Sequence, residues 1–215
     1  MKGCDPASWL IALKKKNWEC EPSSYEDALE TQKKVTEVAK GVWGKVIGYK
    51  VALTSPESQK TFGGGPITGP LFSLNVLGNG STVYLNELSD PLLEAEIFLC
   101  DEKFYLAFEV PDNRYGKKWN ELNWLQLLAD LAGSYKVVVG DGIDQLKGRA
   151  ELLGPDGNVI ASRDVDEAKI FQNMKILEGQ EGCKLLGTVL QPYKVKEAGT
   201  YIFKLGDSEV KIALV

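Results

Sequence analysis

The chain has 215 residues, a formal net charge of −5 and an apolar fraction of 44%. That length suits one large domain, or one domain with a small appendage, and is enough to build a core without staples. The acidic balance argues against a general nucleic-acid binder, and no apolar run approaches the roughly 20 residues that span a bilayer.

Histidine is absent. This removes Ser-His-Asp triads, Cys-His pairs and imidazole ligands. Any metal is then held mainly by oxygen, which favours magnesium, calcium or manganese. Any general base comes from Lys, Asp, Glu, Tyr or Cys. The opening "MKGCDPASWLIALKKK" has the wrong order of charge and apolar segment for a secretory signal, so a cytoplasmic protein is expected. Cys4, Cys20, Cys100 and Cys183 stand far apart and form no CxxC pair. Structural zinc is disfavoured, and free thiols are the expectation for a cytosolic chain.

The first elements read as helices. "ASWLIALKKK" carries Trp9, Leu10 and Leu13 on one face. "SSYEDALETQKKVTEVAKG" predicts a longer helix, with Ser23 and Glu26 spaced as a capping box, Ala28, Val35 and Val38 on its stripe, and Gly41 at its end. "GKVIGYKVALT" is then a β-rich run bounded by glycines. A short helix is expected after Ser55-Pro56, followed by a loop holding Gly63, Gly64, Gly65 and Gly69. "STVYLN" is a strand, and "LLEAEIFLCDEKFYLAFEVPD" reads as two strands joined by a turn near residues 101–103. "WNELNWLQLLADLAGSY" returns to helical spacing through Leu122, Leu125, Leu128 and Leu131. Short strands and turns follow, with a turn at residues 155–158 and a hairpin around Gly206-Asp207-Ser208. "DEAKIFQNMKILEG" is an ambiguous helix. The expected architecture is α+β: a helical segment over residues 1–45 and a mainly β body over 46–215, in one domain.

Three features carry chemistry. Residues i and i+2 of a strand share a face, so Glu94 and Glu96 point the same way and Leu93, Ala95 and Ile97 point the other. The next strand brings Glu109, and counting out from the turn places Glu96 and Glu109 at comparable distances. Three converging carboxylates repel unless a divalent cation neutralises them, and oxygen ligands with water describe magnesium. On spacing alone, a solvated strand face is the commoner meaning of such alternation. Lys50 lies inside an apolar strand-like run. A lysine near a low-dielectric site loses its proton more easily and serves as acid or base, while a snorkelling lysine is the plainer alternative. The loop "TFGGGPITGPLF" either brings backbone N–H groups to an anion or is a surface loop. It is neither a P-loop nor a Rossmann fingerprint.

Together, "EDALETQ", "IGYKVALTSPESQKTFGGGPITGPLF", "PLLEAEIFL", "FEVPDNRY" and "LADLAGSYKVVVG" resemble, in order, the 2-oxopent-4-enoate hydratase and 4-oxalocrotonate decarboxylase family of the fumarylacetoacetate hydrolase-like superfamily. The resemblance covers residues 25–140 and continues through "LGTVLQPY". It implies a β roll or sandwich with a small helical N-terminal part, and magnesium or manganese on Glu94, Glu96 and Glu109. It implies an active-site Lys50, and substrate contacts from Thr188 and Ser134. The substrate it implies is a 2-oxo or 2-hydroxy acid chelated by the metal. Hydration across a conjugated double bond is the first expected reaction, and decarboxylation the second. A competing expectation is a shortened, non-catalytic paralogue that binds a 2-oxo acid or a partner subunit. The family's long link between the second and third glutamates is reduced here to a hairpin turn, and its histidine-bearing segment is replaced by "DVDEAKIFQNMKILEG". Exposed β-edges and the family habit suggest a homo-oligomer.

Overall fold

A computed structural model describes residues 3–215. Helix α1 (Pro6–Lys15) is capped by Asp5, whose carboxylate accepts the Ser8 N–H at 2.9 Å. Helix α2 (Tyr25–Trp43) is capped by Ser24, not Ser23, and it runs through Gly41 to end at Gly44. The Ser24 hydroxyl accepts the Asp27 N–H at 3.2 Å, which leaves Glu26 out of the cap. Gly41 meets no backbone requirement to stop the helix, whereas Gly44 has φ +80°. Strand β1 (Val46–Ala52) leads into α3 (Pro56–Phe62), where Ser55 and Ser58 form a reciprocal capping box after a proline start.

Ten further strands and two further helices follow up to the last hairpin. They are β2 (Ile67–Phe72), β3 (Val76–Gly78), β4 (Thr82–Val83), β5 (Leu92–Cys100) and β6 (Lys103–Val110), then α4 (Trp124–Ala129), β7 (Lys136–Ile143), β8 (Arg149–Leu153), β9 (Val159–Asp164), α5 (Glu167–Ile176), β10 (Cys183–Thr188) and β11 (Tyr193–Lys194). Strands β12 (Gly199–Leu205) and β13 (Ser208–Leu214) close the chain as a hairpin turning at Gly206 and Asp207. The expected helix over residues 119–135 is broken. Only α4 is α-helical, and Leu131 and Ala132 take positive φ values that no continuous helix allows. The helical texture of the apolar residues there comes from burial on all sides, since Leu127, Leu128, Ala129 and Leu131 are each under 5% exposed.

The large sheet runs β2-β1-β10-β5-β6-β7-β3, with β11 added to the start of β5. The smaller runs β4-β13-β12-β8-β9. The two pack face to face: Leu93, Ala95, Ile97, Leu106 and Phe108 from the large sheet share one core with Phe203, Val210 and Ile212 from the small. A second core lies on the opposite side of the large sheet, where Trp9, Trp18, Val35 and Trp43 cover it with α1 and α2. The chain is therefore α+β, as expected, and its layers are helices on a sheet on a sheet. The helices and the strands share these cores, so the helical segment is tied to the body.

The cysteine expectation fails. Cys4 pairs with Cys20 and Cys100 with Cys183, with Cα separations of 4.3 and 4.4 Å. The second bridge follows from register: Lys184 lies opposite Leu99, so Cys183 and Cys100 meet at the next position. This removes the thiol argument for a reducing compartment. Among the described residues, no helix is long and apolar enough to cross a membrane.

Candidate metal centre

Glu94, Glu96 and Glu109 come together. Each offers a carboxylate oxygen, and the three lie within 4.8 Å of one another. The two-residue turn at Asp101 and Glu102, both with positive φ, sets Cys100 opposite Lys103. That register places Glu109 directly across from Glu94, while Glu96 faces Ala107. The pair is therefore Glu94–Glu109, two residues from the one expected by counting, and Glu96 reaches the cluster diagonally. All three point away from the inter-sheet core, because Leu93, Ala95, Ile97, Leu106, Phe108 and Val110 fill that core.

Lys50 joins them from β1. Its neighbours Tyr49 and Val51 face the inter-sheet core, so Lys50 faces the carboxylates, and its Nζ forms a buried ion pair with Glu109. Lys50 is 2% exposed, and Glu96 and Glu109 are 1% exposed. Burial alone pulls the Lys50 ammonium down, but Glu109, Glu94 and Glu96 outweigh it and hold it above the usual lysine range. The surrounding carboxylates thus favour the charged form of Lys50 while no cation neutralises them. Burial raises all three carboxyls. Repulsion from Glu109 adds to this at Glu94, which Lys50 only partly offsets, and Glu94 is pushed up to about 7. Glu96 is raised further by Glu109 and Glu94. Burial raises Glu109 too, and Lys50 opposes it directly.

The β10 strand shapes the other side. Its pairing with β5 breaks between Leu185 and Thr188. Within that irregularity Gly187, at φ +82°, donates its N–H to Glu96 Oε2 at 3.1 Å. An alanine there would put a Cβ 2.7 Å from the Asn173 side-chain amide, so the bulge requires glycine. Thr188 then sits opposite Glu96 and lines the cavity.

That cavity is about 290 Å³ in volume. Lys50, Glu94, Glu96 and Thr188 line it, against an apolar wall that includes Leu53, Phe62, Ile67 and Leu127. Ser134 is not among the lining residues. It is buried, and its carbonyl accepts from Arg114 at 3.1 Å, so the substrate contact expected of it has no counterpart here. The loop lines the cavity through Thr61, Phe62 and Ile67, but its glycines stay out of the lining: Gly63 ends α3, Gly64 lies under the Trp124 ring, and Gly69 packs on the Leu131 carbonyl. Close packing of backbone, not ligand approach, accounts for Gly64 and Gly69. Conversely, Arg163 and Lys169 reach the cavity although nothing in their spacing marked them.

The donor set fits a hard divalent cation. It is all oxygen, and Glu109 Oε2 is buried without a hydrogen-bond partner, a cost that coordination removes.

No family model matches the chain. A stretch of 142 residues is 32% identical to a 2-keto-4-pentenoate hydratase of Burkholderia vietnamiensis (strain G4 / LMG 22486), over 54% of this chain and 53% of that protein. The chain thus matches about half the length of this curated relative. In structure it is similar to 4-oxalocrotonate decarboxylase from Pseudomonas putida G7, complexed with magnesium and adipate, with a TM-score of 0.79 at 17% identity over 98% of this chain and 95% of that one. It is also similar to fumarylacetoacetate hydrolase from Exiguobacterium antarcticum, with a TM-score of 0.53 at 10% identity over 79% and 74% of the two chains. At these identities the structures speak for the fold. The chain thus has the fumarylacetoacetate hydrolase-like fold that these solved structures share.

Proposed function

We propose that the protein is a divalent-metal-dependent lyase acting on a 2-hydroxydienoate or 2-oxoenoate such as 2-oxopent-4-enoate. The observation that carries this reading is the convergence of Glu94, Glu96 and Glu109 within 4.8 Å, with Glu109 ion-paired to the buried Lys50, at a cavity that Lys50, Glu94 and Glu96 line. The three glutamates hold the cation, magnesium or manganese. Once bound, that cation supplies Lewis acidity to the carboxylate and 2-oxygen of the substrate.

The chain's own groups do the rest. Gly187 fixes Glu96 through its N–H. Lys50 Nζ stands against the carboxylates through its ion pair with Glu109. It takes the proton released from the 2-hydroxyl and returns one to substrate carbon as the 2-oxo group forms, and water then adds across the remaining conjugated double bond. Leu53, Phe62 and Leu127 limit bulk water at the reacting carbons. Thr188 contacts the substrate carboxylate. Decarboxylation of a 2-oxo acid uses the same bound substrate and is the second reading, favoured by the fold match to the decarboxylase. The unpaired edges of β3 and β9 support a homo-oligomer.

The test is direct. The magnesium-loaded protein is incubated with 2-hydroxypenta-2,4-dienoate and, separately, with 2-oxohex-3-enedioate. Loss of the ultraviolet absorbance of the first supports hydration, and release of carbon dioxide from the second supports decarboxylation. Absence of both, together with no heat of magnesium binding with or without oxalate, overturns the lyase assignment.

A further inference from the structure

Strand β10 pairs with β1 through residues 183–185 and with β5 through Lys184, Leu185 and Thr188. Leu186 and Gly187 lie in the bulge, outside both registers, and side chains hold the peptide between them. Its N–H, on Gly187, donates to Glu96 Oε2 at 3.1 Å. Its carbonyl, on Leu186, accepts from the Asn173 side-chain amide at 2.7 Å. A trans peptide is a rigid plane whose N–H and C=O point opposite ways. Asn173 therefore grips one end of a plane whose other end grips a candidate metal ligand.

Asn173 stands where an apolar residue is the ordinary choice. It follows Ile170 by three residues and precedes Leu177 by four, so the three share one stripe along α5. Ile170 and Leu177 are buried in the inter-sheet core, and Asn173 is 2% exposed. Asparagine is a weak helix former, and a buried amide costs free energy unless it is bonded. Packing alone gives no reason for it here; the bond to Leu186 does. Gly187 lets that amide come close, since a Cβ there would lie 2.7 Å from Asn173 Nδ2. A peptide whose oxygen accepts a hydrogen bond donates a stronger one from its N–H. Asn173 is absent from the lining of the 290 Å³ cavity, so it acts without touching substrate.

We propose that Asn173 is a positioning residue of the metal centre: through the peptide between Leu186 and Gly187 it fixes the direction in which Glu96 presents its carboxylate. Without the amide that peptide is free to turn, and Glu96 loses the donor that holds it. Groups that orient a ligand from behind account for about ten- to a hundredfold in metal affinity. This inference rests on the reading of Glu94, Glu96 and Glu109 as ligands of a divalent cation.

Two readouts test it. Magnesium affinity is measured by calorimetry, and the Gly187 amide proton is followed by NMR in the metal-free, nitrogen-15-labelled protein. The variants are N173L and N173A, which both remove the donor, and I170A, which loosens the packing of α5 and leaves the amide in place. In the native protein the Gly187 proton is expected downfield and protected from exchange. N173L and N173A shift it upfield and weaken magnesium by about tenfold or more. I170A lowers the melting temperature, yet holds the Gly187 resonance in place and the affinity within about twofold of native. Native affinity in N173L and N173A overturns the inference and leaves the metal reading intact. So does an equal loss in I170A, which would trace the effect to packing. A Gly187 proton at its random-coil position in the native protein overturns it without any variant. A native protein that binds no magnesium overturns the metal reading and the role of Asn173 toward the cation with it.

Discussion

Glu94→Gln separates the structural cost of the carboxylate cluster from its use. The amide keeps the size of the side chain and removes only the charge. In the metal-free protein Glu94 is pushed up to about 7 by burial and by Glu109 across the strand pair. A carboxyl whose folded pKa lies above its unfolded value favours folding while protonated. Its contribution is whole below the unfolded value near 4.5 and fades as pH rises through about 7. A tenfold change in a group's proton affinity corresponds to about 1.4 kcal/mol. Above pH 8 native Glu94 therefore costs at most about 3 kcal/mol relative to its neutral form, and less because it keeps some contact with cavity water. In a chain of this size, 1 kcal/mol moves the melting temperature by roughly 2–4 °C.

Metal-free E94Q is thus expected to melt several degrees above the native protein at pH 8.5 and to match it at pH 4.5. With metal the order inverts. A cation at 100 times its dissociation constant stabilises the native fold by about 2.7 kcal/mol, or roughly 5–11 °C, and E94Q, lacking one ligand, loses most of that gain. The assay is differential scanning fluorimetry at the two pH values, in EDTA and in saturating magnesium or manganese. An E94Q protein that keeps the full metal-dependent rise, or that is less stable than native without metal at pH 8.5, refutes the reasoning.

Further outcomes follow from neighbouring groups. Lys50→Met removes the one cation paired to the buried glutamates; it is expected to abolish turnover and to cost about 3–5 kcal/mol in the metal-free state, while calorimetry shows magnesium bound at least as tightly as before. Arg114→Met leaves Asp130 buried without its ion pair, although Trp9 Nε1 still donates to it at 2.7 Å; a loss of about 3–5 kcal/mol is expected in the urea midpoint, and a loss below about 1 kcal/mol would mean that the Trp9 bond suffices.

Several parts of the molecule were legible because their causes are local. The shared face of Glu94 and Glu96 follows from strand alternation over three residues, and the three-layer position of the strands only confirms it. The Ser55-Pro56 start of α3 and the Gly206 hairpin carry their own capping and turn chemistry. Spacing suggests that the three carboxylates converge, but E-x-E by itself reads more often as a solvated face, and the resemblance is what gives the trio weight as a candidate metal site. Other features misled for a physical reason. Leucines at residues 122–131 recur at helical spacing, yet all but the half-buried Leu125 are buried, and burial without a polar face does not enforce a helix.

Local sequence, then, settled which segments extend, which coil and which side chains share a face, because those choices depend on dihedral preferences and spacing within a few residues. Only tertiary structure decided which distant segments meet. The strand register chose Glu94 over Glu96 as the partner of Glu109 and brought Cys100 to Cys183. The strand order of the large sheet, with β10 and β5 between β1 and β6, brought Lys50 to Glu109. Docking of α5 beside β10 set Lys169 on the cavity wall. Such meetings depend on packing between elements remote in the chain, and spacing along one strand does not encode them.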